Sequence, residues 1–144
     1  MTPDDTIALD TNCFVHLLED PRDRRARFLE QEVLRPALRG ERALTTSALT
    51  IAELLVVAYR AGEPERAAAL RAALAAFDGL RIVDIDESIA ARAAQLRGTS
   101  GLTLPDAIHL ASAAATADGL LTNDRRLVDA GHGLQVWYLD AQLG

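Results

Sequence analysis

Short apolar runs, each sized for one buried strand, alternate along this chain with longer stretches of helical pattern. "TIALD" runs into "TNCFVHLLED", "RALTT" into "SALTIAELLVVAYRAG" and "LRIVDID" into "ESIAARAAQLRG", while "GLLT" and "QVWYL" complete the strands. Strands separated by helices of this length pair in parallel, because the crossover returns the chain to the edge from which it started. A parallel sheet has both faces covered, which is why its strands read as unbroken apolar runs. The alternation therefore predicts an α/β fold, a mostly parallel central sheet with helices on both faces. At 144 residues and 49% hydrophobic, with no linker or repeat, the whole chain, 1–144, reads as one domain.

The remaining punctuation is local. "RDRRARFLEQEVLRPALRG" is helical in pattern, with Pro36 expected to kink or end it. Gly62 is a natural helix stop, "EPERAAALRAALAAF" a further helix, and "GTSG" a loop. A helix is expected from about Leu104 to Ala117, and a short helical turn over "DRRLVDAG".

Composition excludes several chemistries. All 15 basic residues are Arg, so a P-loop, a Schiff-base enzyme and a receiver-type phosphoacceptor each lack the Lys they use. The single cysteine, Cys13, can form neither an internal disulfide nor a cysteine-based zinc site and is expected in the core. Any metal is then held mainly by oxygen. A net charge of −6 argues against a surface that clings everywhere to nucleic acid, but bound cations would offset acids gathered at a site. No apolar run approaches the roughly 18 to 20 residues of a membrane span, and "MTPDDT" lacks a basic and apolar leader pattern. The expectation is a cytoplasmic protein with no membrane partner.

Four acids stand where apolar elements begin or end, or inside one: Asp10, Glu53, Asp106 and Asp124. Asp10 and Asp124 follow strands, at the edge where open parallel sheets bind ligands. Each aspartate also has a simpler reading. Asp10 and Asp124 can cap the helices that follow, and Thr103 with Asp106 has capping-box spacing, with Pro105 suited to a first turn. Glu53 caps nothing. Its helix is apolar nearly all round, with Leu49, Ile51, Leu54, Leu55, Val56, Val57 and Tyr59 on every side, the pattern of a buried helix. A carboxylate there protonates or finds a cation, either Arg60 seven residues on or a metal. Converging carboxylates at about 4 Å repel by roughly 4 kcal/mol at an effective dielectric of 20, so a cluster needs divalent cations. An all-oxygen set suits Mg²⁺, with Mn²⁺ able to substitute, and activates water for in-line attack on a phosphodiester.

"ALDTN", "SALTIAELL", "LPDAIHLASA" and "LLTND", in that order, resemble the PIN-domain ribonucleases, particularly the VapC-like toxins of type II toxin–antitoxin systems. The resemblance spans nearly the whole chain. It implies a three-layer α/β/α sandwich and makes Asp10, Glu53, Asp106 and Asp124 the catalytic metal ligands. It also puts Thr11, Asn12, Thr122 and Asn123 in or near the site. A homodimer, a small cognate antitoxin partner and an RNA substrate cut by endoribonuclease action are implied as well. The favoured function is thus a Mg²⁺-dependent endoribonuclease toxin. The alternatives are a metal-dependent DNA nuclease or phosphatase on the same ligands, or a non-enzymatic binding or regulatory module whose acids only cap helices.

Other residues carry less. Arg125 and Arg126, next to Asp124, are candidates for substrate contact, ahead of the Arg22 to Arg27 cluster, which Asp23 interrupts. His109, three residues after Asp106, faces the same way on its helix, but reads first as a structurally accommodated histidine. His16 and His132 read as structural or exposed, and Asp129 as a solvated acid rather than a fifth ligand.

Overall fold

The computed structural model describes residues 1–130 and 133–144. The expectation for His132 falls outside the described residues. Five strands form one sheet: β1 (Ile7–Leu9), β2 (Leu44–Ser47), β3 (Leu80–Val83), β4 (Gly119–Thr122) and β5 (Val136–Tyr138). Their order is β3-β2-β1-β4-β5 and every pairing is parallel. The central strands β1, β2 and β4 are buried along their whole length, whereas the edge strands β3 and β5 are mostly half-buried. That gradient is what two covering layers produce.

The helices divide between two cores. On one face, α1 (Thr11–Glu19), α4 (Ala48–Arg60) and α5 (Pro64–Ala76) pack Phe14, Leu54 and Leu74 against Ile7, Leu9, Leu44 and Leu121. On the other, α6 (Glu87–Ser100), α7 (Leu104–Thr116) and α8 (Arg125–Asp129) pack Ile89, Leu96, Leu110 and Leu127 against Ala8, Val83 and Leu120. Alternate strand residues thus feed opposite layers, the three-layer α/β/α sandwich expected. The set is completed by α2 (Arg24–Phe28), α3 (Arg35–Leu38) and α9 (Leu139–Gln142). Cys13 is buried in the first core, as expected.

Three local expectations give way. The helix does not end at Pro36 but runs on to Leu38: ahead of the proline, residues Leu29–Leu34 widen into a π-helical turn in which Arg35 N–H donates to Glu30 O. A wider turn makes room for a proline that has no N–H to donate and whose ring crowds the preceding turn. The "GTSG" stretch is not a loop until its end. Gly98, Thr99 and Ser100 stay in α6, Thr99 Oγ1 bonds Gln95 O at 3.0 Å, and Gly101 at φ 70° closes the helix.

The third difference matters most. Helix α4 is not buried all round. Leu54 and Ala58 face the core, but Val56 and Tyr59 are exposed and Val57 is 62% exposed. The helix lies in an outer layer, so only one face meets the sheet, and apolarity on the other face does not bury it. No helix among the described residues is long and apolar enough to cross a membrane.

Candidate active site at the carboxyl ends of β1, β2 and β4

Asp10 follows β1 directly, its N–H donating to Leu121 O at 3.0 Å so that the residue continues the sheet for one step. It then caps α1, with Oδ1 accepting from Thr11 N–H at 2.8 Å. The other oxygen, Oδ2, accepts from Thr122 Oγ1 at 2.7 Å and Asn12 Nδ2 at 3.2 Å. Capping therefore occupies one oxygen only, and the cap reading and the ligand reading coexist. The carboxylate is buried, and desolvation pushes its pKa up against the opposing pull of His109, Thr122 and Thr11.

Glu53 reaches the same place from a different element. Because α4 starts on Ser47, the last residue of β2, its second turn overhangs the strand ends. Thr11 Oγ1 donates to Glu53 Oε1 at 2.9 Å, and His109 Nε2 lies 2.5 Å from the same oxygen. The Glu53 side chain is 38% exposed, and Arg60 is not among its partners. The expectation of a deeply buried glutamate is corrected with that of its helix. The bond from His109 holds Glu53 below the usual carboxylate range.

His109 is the residue sequence reasoning undervalued. It is buried on α7, 2.5 Å from Glu53 and 3.7 Å from Asp10 Oδ1. Burial lowers its basicity, but Glu53, Asp10 and Asp106 together outweigh it and raise the pKa above the ordinary 6.5. The His109 ring thus stands against two facing carboxylates, which favour its protonated form. Thr50 and Thr46 were likewise unforeseen. Thr50 Oγ1 lies 3.1 Å from Thr11 Oγ1, and Thr46 Oγ1 donates to Leu9 O at 2.9 Å and lies 2.9 Å from Thr50 Oγ1. For His109 the signal was present but faint, since it shares the Asp106 face of its helix; Thr46 and Thr50 sit on different elements, β2 and α4, and carried none.

Asp106 stands in the first turn of α7, its N–H donating to Thr103 Oγ1 at 3.3 Å. Only half of the capping box forms: among the described residues the Asp106 carboxylate has no hydrogen-bond partner. Its charge is felt by both His109 and Arg126. Asp124 is turned to Arg126, which binds its two oxygens through Nη2 at 2.8 Å and Nε at 3.2 Å and, with the N–H of the same residue, holds it below the ordinary carboxylate pKa. Arg125 is exposed beside it.

Thr122 and the two asparagines knit these parts together. The buried Thr122 hydroxyl also accepts from Asn12 Nδ2 at 3.1 Å and Asp124 N–H at 3.0 Å, and Asn123 N–H donates to Asn12 Oδ1 at 3.0 Å. The structure therefore brings Asp10, Thr11, Glu53, Asn12, Thr122 and Asn123 into one network, with Asp106 nearby and Asp124 on its rim. Asp129 is exposed on α8. Among the described residues no three acidic, histidine or cysteine side chains form a metal-coordinating group. The donor chemistry nevertheless fits a hard divalent cation: the four candidate side chains offer carboxylate oxygens, and the innermost of them, Asp10, is buried.

A parallel α/β sandwich with acids collected beyond the carboxyl ends of its strands defines a class that works at that edge. The chain belongs to the PIN domain family, whose model matches residues 7–133. Comparison with curated proteins gave no match. Among solved structures, a toxin–antitoxin complex from Klebsiella pneumoniae is similar at 28% identity and TM-score 0.67, covering 93% of this chain and 98% of that one. FitAcB from Neisseria gonorrhoeae is similar at 25% identity and TM-score 0.70, again over 93% and 98%. DNA-bound VapBC from Salmonella typhimurium shares the fold at 20% identity and TM-score 0.71, over the same shares.

Proposed function

We propose that the chain is a Mg²⁺-dependent endoribonuclease, with Mn²⁺ able to substitute, and the toxin of a toxin–antitoxin pair. The observation that carries this reading is the meeting of Asp10 and Glu53 at the strand ends of a PIN domain, from positions far apart in the sequence. A divalent cation bound by Asp10, Glu53, Asp106 and Asp124 would supply the polarisation that turns water into a nucleophile toward a phosphodiester. The remaining tasks fall to this chain's own groups. Thr122 and Asn12 fix the Asp10 carboxylate by donating to Oδ2, and Thr11 fixes Glu53. Asn123 holds Asn12 in turn. Arg125 and Arg126 lie at the rim, where the RNA substrate would pass.

Partner and assembly belong to the same proposal. The similar structure from Klebsiella is described as a toxin–antitoxin complex, which supports a small protein antitoxin for this chain. The exposed apolar face of α4 supports burial of further surface, in a cytoplasmic homodimer or against the antitoxin.

Cleavage of end-labelled RNA, DNA and a small phosphate ester, with and without Mg²⁺, tests the activity. RNA alone should be cut, only with the metal, and Asp10→Asn and Asp106→Asn should each lower the rate at least a hundred-fold while circular dichroism is unchanged. Cleavage by both variants at the parent rate removes those residues from the mechanism. Preference for DNA or the ester replaces the substrate.

A further inference from the structure

The carboxyl edge of the sheet carries Asp10, Thr122 and Tyr138 in a row across β1, β4 and β5. Leu9 pairs with Leu121, and Thr122 pairs with Tyr138. Neighbouring strands lie about 4.8 Å apart, so the Tyr138 backbone is roughly 10 Å from that of Asp10. Residues paired in register project to the same face, so Tyr138 stands on the side covered by α7 and α8. Arg125 of α8 lies over its ring, with Cζ 4.7 Å from the centroid. Arg125 is exposed and, among the described residues, has no carboxylate partner, whereas Asp124 neutralises Arg126.

This stack is fastened to the acid site. The Tyr138 hydroxyl donates to Asp140 Oδ2 at 3.4 Å, and Arg25 donates to both oxygens of Asp140 at 2.6 and 2.9 Å. Asp140 N–H donates to Asn123 Oδ1 at 3.2 Å, Asn123 N–H to Asn12 Oδ1 at 3.0 Å, and Asn12 Nδ2 to Asp10 at 3.2 Å. The ring is therefore positioned by the same network that positions Asp10.

We propose that Arg125 and Tyr138 form a base-stacking platform: an unpaired base flanking the cleaved linkage lies on the outer face of the Arg125 guanidinium, backed by the Tyr138 ring. The inference rests on the ribonuclease reading and narrows its substrate to a single-stranded segment. Guanidinium planes stack bases much as aromatic rings do, and a lysine ammonium does not. Backing by a fixed ring leaves less side-chain freedom to be lost when the base arrives. A base already stacked in a duplex cannot reach such a surface, so the platform discriminates by strandedness more than by sequence.

The test measures fluorescence anisotropy of a labelled single-stranded RNA bound to the full chain carrying Asp106→Asn, which prevents turnover, in Mg²⁺. On that background, Arg125→Ala and Tyr138→Ala should weaken binding about ten-fold or more. Arg125→Lys should not restore it, and Tyr138→Phe should retain most of it. One abasic position along the RNA should reproduce the loss in the parent and add nothing in Arg125→Ala. Full affinity in Arg125→Lys, with Arg125→Ala changing only the salt dependence, assigns Arg125 to a phosphate and overturns the platform. Arg125 is a surface residue, so its variants test the idea even if Tyr138→Ala misfolds. RNA cleavage by the native chain, with binding indifferent to all four variants, sinks the platform and leaves the nuclease standing. A native chain that cuts no RNA sinks both.

Discussion

A single buried hydroxyl, that of Thr122, donates to Asp10 and accepts from Asn12 and Asp124, so one side chain ties β4 to three residues of the site. Replacing it by valine keeps the shape and leaves those groups without their partner. Thr122→Val should lower stability by about 2 kcal/mol, since buried polar groups left unmatched cost that much, and Thr122→Ser should recover most of it. Urea unfolding reads the difference; an unmoved midpoint for the valine variant would show that the three groups find other partners. Thr122 could be placed beside an acid from "LLTND" alone, because strand and turn were both local signals. His109 could not be weighed the same way. Its place between Asp10 and Glu53 depends on α7 crossing the ends of β1 and β2, and nothing local in "DAIHLA" encodes that crossing. The glutamate, conversely, was singled out for burial it does not have, and its partner is a histidine of the chain rather than Arg60.

Elements were legible where one residue set their limits. Gly62 ends α4 with positive φ and Pro105 opens α7, whereas the two glycines of "GTSG" left the end of α6 at Gly101 ambiguous. What local pattern does not carry is which side of an element meets another layer, hence the exposed face of α4, or how a widened turn accommodates Pro36. The entry to β3 shows how tight such packing becomes. Gly79 has φ 87°, and a Cβ there would lie 2.6 Å from the Ala37 carbonyl oxygen, a backbone atom of α3. Gly79→Ala therefore combines left-handed strain with a clash no rotamer relieves, and should cost roughly 2 to 4 kcal/mol in urea unfolding. Gly40→Ala, with comparable φ but open space around it, should cost visibly less. Equal losses would mean that the clash relaxes freely. A second junction is electrostatic. Asp140 of α9 holds Arg25 of α2, whose hydrogen bonds lower its pKa below the ordinary 3.8. A lowered carboxylate pKa stabilises the fold above 3.8, and that contribution fades as pH falls through the folded value. Asp140→Asn should thus lower the thermal midpoint at pH 7, and the gap from the parent should close below pH 3.8. A gap independent of pH would assign the effect to lost packing.

At the scale of the whole molecule, the fold gathers acids that the sequence keeps apart and leaves the innermost one under strain. Desolvation and the neighbouring Glu53 both disfavour the Asp10 anion, while the His109 ring lies close to both carboxylates. Buried charge of this kind is weak support for stability, and perturbed carboxylates gather more often at functional sites than elsewhere. A ligand that binds only the folded state must then raise the unfolding temperature, by an amount that grows with the logarithm of its concentration above the dissociation constant. At a Mn²⁺ concentration about a hundred times its dissociation constant the gain is roughly 2.7 kcal/mol, or about 10 °C for a domain of this size. Asp10→Asn and Asp106→Asn should each abolish most of that shift, whereas Asp129→Asn, on the exposed side of α8, should keep it. Differential scanning calorimetry across a Mn²⁺ titration separates the cases. Equal shifts in all four proteins would mean that the cation binds diffusely to an acidic chain, and the carboxylates at the strand ends would then be helix caps and hydrogen-bond acceptors with no ion to hold.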